Sequence, residues 1–521
     1  MRNYFSILIL AMTFTSLSCT DAGNDSATTE NTDTIGVFPD DFEWGTGTSA
    51  WQIEGGNTTS DWAQWESMCE LETVDGIRTG TETIVDCAKN DDGPNSWVRY
   101  DDDFALAQEL GHTAIRMGIE WAKIEPEPNV YDQDVINHYH DVIDAAHARG
   151  FSVLLTLQHF TLPIWAHNLI EPEAGMGGWP AHPEVTVGQA PIIAAFAQYA
   201  GDMAEEFGAK IDTWITINEP MSMLMGGYLM GFFPPGGSLQ IETTMRGMFN
   251  IVYAHAAGYD AIHARDLVDA DGDGKSAMVS IAKNRPVMEP ADPDNAGDVE
   301  SARKLEYLYN HILFNGMAHG KVDLNADEDY DDQGEGTFEE LTNKLDWIGI
   351  NYYGRFMVSD SLTTLCDVMP CAEGKGVTAP VAVLQNTDTS RLYSDMDWEL
   401  HPEGLKKVLE HAASFGVPLR ITENGLADDN DDMRASFIVS HLQVVQDAIE
   451  SGIDVRGYYH WSLVDNLEWA DGYWPEFGLI KVDYDSEEKT RTPRESASCY
   501  TEIIEAKEVT PAIQEKWGTL Y

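Results

Sequence analysis

The chain has 521 residues, with 31 Lys+Arg against 88 Asp+Glu and a formal charge of -57. Such a charge repels a phosphate backbone and argues against nucleic acid as a partner. The length is ample for a large core, and an α/β barrel with long loops can exceed about 400 residues as one domain.

Taken in order, the chain opens with one cation, Arg2, then a short apolar segment at 6–17 and the pair Ser18-Cys19. This reads as an export signal, too short to span a membrane permanently. A cysteine after a small residue also resembles a bacterial lipoprotein signal, in which Cys19 would carry the lipid, although Ser16 stands where leucine is usual. Residues 1–19 are therefore assigned to a signal, with a periplasmic or cell-surface lipoprotein expected and simple secretion as the alternative. Residues 20–36 are rich in Ser, Thr, Asn and Asp and read as a flexible tether. Residues 37–521 read as one folded domain that starts near Phe38.

The first strand is expected at 42–50, ending near Gln52 and Glu54. A long insertion at 67–95 holds Cys69 and Cys87. Asp101-Asp102-Asp103 then reads as a cap for a helix carrying Phe104, Leu106, Ala107 and Leu110 on one side. Further strands are expected at 113–120, 151–159, 211–219, 277–282, 345–352, 417–423 and 455–461. Helical periods fall between them at 135–148, 192–207, 405–415 and 435–451. Strand and helix alternating eight times imply α/β, most simply a closed (β/α)8 TIM barrel in a single domain with long βα loops.

Six cysteines are present, and export permits disulfides. Cys69 with Cys87, and Cys366 with Cys371, are pairs close enough in sequence to bridge, though sequence alone does not fix connectivity. Cys499 reads as a buried small apolar residue. No cysteine/histidine spacing resembles a zinc site. Asp269-Ala270-Asp271-Gly272-Asp273-Gly274 resembles half of a calcium loop, but the twelfth position is Ser280, so a plain acidic turn is favoured. Acidic runs such as Asp327-Glu328-Asp329 and 428–432 read as solvated loops. Two readings of the charge stand: solubility alone, or a salty habitat whose ions screen the self-repulsion.

Two stretches carry the chemistry. Trp214-Ile215-Thr216-Ile217-Asn218-Glu219-Pro220 and Leu419-Arg420-Ile421-Thr422-Glu423-Asn424-Gly425 are apolar and β-branched runs that stop at a glutamate before a turn-forming residue. Each puts a carboxylate at a strand's C-terminal end, the face of a βα barrel where chemistry sits. Two such glutamates suit a retaining glycosidase, one giving a proton and the other attacking the anomeric carbon.

With these motifs, the chain from about Phe38 to Tyr500 resembles glycoside hydrolase family 1. The resemblance implies a retaining, exo-acting β-glycosidase with Glu219 as acid/base and Glu423 as nucleophile. The substrates would be small β-glycosides or oligosaccharides, with no cofactor and no metal. It implies that Arg116 and Tyr353, in Asn351-Tyr352-Tyr353, tune the nucleophile, because a cation and a phenol donor favour the charged carboxylate. The Glu423 charge would raise the Glu219 pKa. Asn218 would donate to the sugar 2-hydroxyl.

Sugar contacts carried over in the same way are Gln52, His159, Trp461 as a platform, Glu468, Trp469, and Phe477 as a wall. An acid at Glu468 argues against a 6-phosphate. Phe160 stands where many members have tryptophan, which removes an indole donor and implies broad glycone choice, with glucosides, galactosides and fucosides as candidates. Glu476 stands where arginine is common and reads as acidic surface. The run Met221-Ser222-Met223-Leu224-Met225 reads as packing, with an adaptable aglycone wall as the alternative. Two other functions share the barrel: a non-catalytic sugar-binding lipoprotein, and a transglycosylase.

Overall fold

The computed structural model describes residues 38–74, 77–360, 382–384, 388 and 390–521. Eight parallel strands close into a barrel: β1 (Glu43–Gly47), β2 (Ala114–Gly118), β3 (Ser152–Gln158), β4 (Thr213–Asn218), β5 (Met278–Asn284), β6 (Ile348–Asn351), β7 (Leu419–Asn424) and β8 (Val455–Trp461). Their order round the barrel is their order in the chain. Closure is through β1, where Gly45 registers with Tyr459 of β8 on one side and Ala114 of β2 on the other.

One helix after each strand builds the outer ring: α1 (Ser96–Glu109), α2 (Gln133–Ala148), α3 (Pro191–Phe207), α4 (Ile241–Arg265), α5 (Ile312–His319), α6 (Pro402–Ala413), α7 (Arg434–Glu450) and α8 (Glu495–Ala506). Local chemistry sets their ends. Asp132 caps α2 by accepting from the Asp134 and Val135 amides at 3.0 and 3.2 Å. Pro402 opens α6, where its missing N–H costs nothing, and Leu405, Val408, Leu409 and Ala412 form its buried stripe. Inside the barrel, Ala114, Leu154, Ile215, Met278, Ala282, Trp347 and Tyr459 pack together, so the lumen is a core and not a pore.

A buried strand tolerates a charge only when it is paired. β7 carries two. Arg420, near its start, donates to both Glu43 oxygens at 2.7 Å, and Tyr459 O–H donates to the same carboxylate. Glu423, near its end, meets Arg116 and Tyr353. Strict alternation sends residues three apart to opposite faces. Register breaks in β7 against both neighbours re-aim the chain, so both charges find partners.

Several expectations are corrected. β1 ends at Gly47, and Gln52 and Glu54 lie on the helical turn Ala50–Glu54 instead. α1 starts at Ser96, so 101–103 lie within it rather than capping it. Asp103 accepts from Ser96 Oγ at 2.7 Å and pairs with Arg491. The 428–432 run is not simply solvated. Asp428 is buried and accepts from the Met433 and Arg434 amides, while Asp431 ties Arg434 to Ser496. Asp327 is half-buried, its amide bonded to Asp323. Glu476 is paired with Arg494 and Lys481, not free surface.

Cys69 and Cys87 form a disulfide across the insertion, and Cys499 is free and buried in α8. The carboxylates of 269–273 accept backbone amides of their own loop, and Ser280 lies inside β5 with its hydroxyl on Trp347 O. Asp212, Asp269 and Asp271 come close together there, as do Asp323, Asp327 and Glu335 elsewhere. Cys366, Cys371, the signal and the tether lie outside the described residues. Among the described residues no helix is long and apolar enough to cross a membrane.

Candidate active site

The strand ends converge on Glu423. Arg116, fully buried on β2, donates to Glu423 Oε1 at 2.5 Å and to the Thr422 carbonyl at 3.0 Å. Its other terminal nitrogen donates to Asn218 Oδ1 at 2.7 Å. Tyr353 O–H donates to Glu423 Oε2 at 2.6 Å. Each Glu423 oxygen thus has one strong donor, the Arg116 cation on one and the Tyr353 phenol on the other. Burial first, and the Glu423 charge second, push the Tyr353 phenol well above its ordinary range, so it stays a donor.

Glu219 follows β4 with φ 43°, a left-handed conformation that non-glycine residues seldom adopt. Such strain clusters at functional sites. Its carboxyl is pushed up to about 7, chiefly by burial and secondly by the Glu423 charge. The expected cause is therefore present but is not the leading one. Asn351 Nδ2 donates to Glu219 Oε1 at 2.7 Å, and Asn351 Oδ1 accepts from Thr422 Oγ1 at 2.6 Å. Sequence reasoning passed over Asn351, although it adjoins Tyr352-Tyr353; a polar residue closing an apolar strand was the signal.

The sugar-side candidates also come together. Asn218 Nδ2 donates to His159 Nε2 at 2.9 Å and keeps one amide proton for a ligand hydroxyl. Burial and the Arg116 charge hold His159 well below its ordinary range, so the ring is neutral. Its Nε2 then accepts and its Nδ1 carries the proton. That Nδ1 is buried without a partner among the described residues, as is Gln52 Oε1. Buried polar atoms without partners call for an explanation, and hydroxyls of a ligand supply one. Gln52 is fixed from the other end, donating through Nε2 to Asn466 Oδ1 and Leu467 O, both at 2.9 Å. Asn466 holds the Gln52 amide in turn, its own Nδ2 donating to Ser462 Oγ at 3.0 Å.

Trp461 and Phe477 form one buried cluster with Ala427, flanked by Tyr353, Met396 and Trp398. Trp469 lies 5.7 Å from His159 and 4.6 Å from Phe160, ring centre to ring centre. Phe160 thus fills space against Trp469 and adds no donor. Glu468 is half-buried, its carboxyl raised well above the ordinary range by desolvation, then by Asp471, Glu423 and Glu219. A carboxyl there can hydrogen-bond a hydroxyl, and it brings no positive charge to an anionic group. Met221, Met223, Leu224 and Met225 are buried, which supports packing as their role.

The comparisons with known proteins agree with this geometry. A family model described as glycosyl hydrolase family 1 matches residues 34–509. A beta-galactosidase of Pyrococcus woesei is 33% identical, the alignment covering 92% of this chain and 99% of that protein. Beta-glucosidase A of Thermotoga maritima is 29% identical, over 90% of this chain and 97% of its own. A solved beta-glycosidase from Pyrococcus horikoshii superposes with a TM-score of 0.74 at 31% identity, covering 93% of this chain and 99% of that one.

Proposed function

The chain belongs to glycosyl hydrolase family 1 and is a retaining β-glycosidase, and on that premise we propose that Glu423 is its nucleophile and Glu219 its acid/base. The observation that carries this reading is the contrast between the two carboxyls. Glu423 has a cation on one oxygen and a phenol on the other. Glu219 is buried and raised to about 7, and so still holds its proton near neutrality.

A Glu423 oxygen attacks the anomeric carbon while the bond to the aglycone oxygen breaks. The departing oxygen takes the bond pair and the Glu219 proton, and the aglycone leaves as an alcohol. The sugar is then held as an ester of Glu423, whose charge is gone. Glu219, now a carboxylate, takes a proton from water as that water attacks the same carbon. The ester bond breaks and both carboxyls return to their starting states.

We propose an exo-acting β-glucosidase that also takes galactosides and fucosides. Phe160 in place of an indole donor supports this breadth, as do relatives named for both sugars. We propose also that the chain is exported, from the apolar segment at 6–17 and Ser18-Cys19. Removing each carboxyl tests the roles. Glu423→Gly should abolish hydrolysis, and added azide or formate should partly restore it with inverted product. Glu219→Ala should spare aryl glycosides with good leaving groups most. No rescue in the first variant, or equal loss on all substrates in the second, overturns the corresponding role.

A further inference from the structure

Two of the sugar-side candidates, Gln52 and Glu468, lie far apart in the chain and side by side in the site. Gln52 Nε2 donates to Glu468 Oε2 at 3.4 Å, and the Leu467 amide donates to the Gln52 carbonyl at 3.2 Å. Neither residue belongs to a barrel strand. Gln52 is on the helical turn Ala50–Glu54, and Glu468 precedes the short turn Trp469–Asp471. Residues 85–92 of the insertion stand behind both.

Toward Gln52, the buried Asn90 donates through Nδ2 to the Trp51 carbonyl, and Asp91 Oδ1 accepts from the Gly56 amide at 2.6 Å. Toward Glu468, the Tyr473 hydroxyl donates to the Lys89 carbonyl at 2.7 Å. Gly472 lies so close to Val85 that an added Cβ would stand 3.0 Å from the Val85 carbonyl oxygen. The Gly472 carbonyl in turn accepts from the Glu468 amide at 2.7 Å.

This segment has little regular structure of its own, only the single turns Val85–Cys87 and Asn90–Asp92. Its anchor is the helix Asp61–Ser67. The Cys69–Cys87 disulfide ties it to the end of that helix, and the Asn90 amide donates to Glu66 Oε2 at 2.7 Å. Trp65 and Thr83 bond each other twice, Trp65 Nε1 to the Thr83 carbonyl at 3.1 Å and Thr83 Oγ1 to the Trp65 carbonyl at 2.8 Å. Trp62 of the same helix packs on Trp469, ring centres 4.8 Å apart. Segments with few ladder bonds open locally at low cost, and a cross-link limits how far this one can open.

We propose that Asn90 and the Cys69–Cys87 pair are positioning residues, which hold Gln52 and Glu468 against the sugar hydroxyls away from the anomeric carbon. Those hydroxyls change little between bound substrate and transition state, so misplacing their partners weakens binding more than the chemical step. This inference rests on Gln52 and Glu468 meeting the sugar.

The test is the steady-state kinetics of the double variant Cys69→Ala, Cys87→Ala on a nitrophenyl β-glucoside. KM should rise about tenfold while kcat stays within about twofold of wild type. Asn90→Ala, which keeps the cross-link, should raise KM by a smaller factor, and it is read instead if the double variant does not fold by circular dichroism. An unmoved KM in the folded variant overturns the inference, and so does a fall in kcat as large as the rise in KM. Failure of the premise is distinguishable. An unmoved KM in Gln52→Ala removes the sugar contact itself, whereas a raised KM in Gln52→Ala beside an unmoved KM in the double variant removes only the positioning role.

Discussion

Asn351 holds Glu219 with one end of its amide and Thr422, the residue before Glu423, with the other, at 2.7 and 2.6 Å. A single side chain on β6 thus sets the acid/base carboxyl against the strand that carries the nucleophile. Its Nδ2 also donates to Asn218 Oδ1 at 3.1 Å, which ties in the residue proposed to meet the sugar 2-hydroxyl.

Asn351→Ala should therefore act on catalysis more than on binding. It frees the Glu219 carboxyl to rotate and leaves Thr422 Oγ1 without its partner. Small misplacements of reacting groups cost roughly 100-fold. We expect kcat to fall by about 10- to 100-fold with KM changed far less, measured on a nitrophenyl β-glucoside. Loss confined to KM would show that Asn351 serves the sugar and not the acid.

The Glu219 carboxyl should titrate near pH 7 in the free enzyme, so kcat/KM should decline as pH rises through about 7. The sign follows from the role: the proton donor is used up by alkali. In Glu423→Gln the neighbouring charge is removed, but burial, the larger cause, remains. The midpoint should drop yet stay above the ordinary glutamate value of 4.5, followed by carbon NMR of labelled carboxyls. A midpoint unmoved by the substitution would mean the two carboxyls do not sense each other.

Much of this was legible in the sequence, for identifiable reasons. Buried parallel strands favour apolar runs, so strands such as β3, β4 and β7 stood out, while β1, Glu43-Trp44-Gly45-Thr46-Gly47, is short and glycine-rich and its end was placed too late. A charge that ends such a run, as Glu219 and Glu423 do, is costly enough to mark itself. What was missed depends on register. Asn351 and Thr422 look like ordinary strand-end polar residues until the break at Ile350 and Asn351 sets them face to face. The aspartates of 428–432 look solvated by composition, and only tertiary packing shows Asp428 bonded to the amides that open α7. The leading cause of the Glu219 shift was also hidden, because burial belongs to the fold and not to a motif.

At the opposite mouth of the barrel, Arg420 and Glu43 form a two-pronged pair joined by the Tyr459 hydroxyl. Glu43→Ala leaves the buried Arg420 guanidinium without its carboxylate. Breaking one side of a buried pair costs about 3–5 kcal/mol. The expected result is a clear fall in denaturation midpoint, with kcat and KM near wild type at 25 °C. A stability change below about 1 kcal/mol would place this pair with solvent-exposed bridges.

Salt decides between the two readings of the charge. With 31 cations against 88 acids, most carboxylates have no partner to offset them, and the folded chain brings them together. The Debye length falls from about 8 Å at 0.15 M to about 3 Å at 1 M, so repulsion between exposed acids is screened. Exposed pairs such as Arg303 with Glu300 lose attraction at the same time, but each is worth only about 0–1 kcal/mol and cations are few. The buried pair Arg116 with Glu423 and the partly buried pair Arg420 with Glu43 are screened less. The melting temperature should therefore rise between 0.1 and 1 M potassium chloride, followed by calorimetry, with the leaving-group dependence of the enzyme unchanged. A flat or falling melting temperature would assign the charge to solubility alone, because self-repulsion would then not be limiting the folded state.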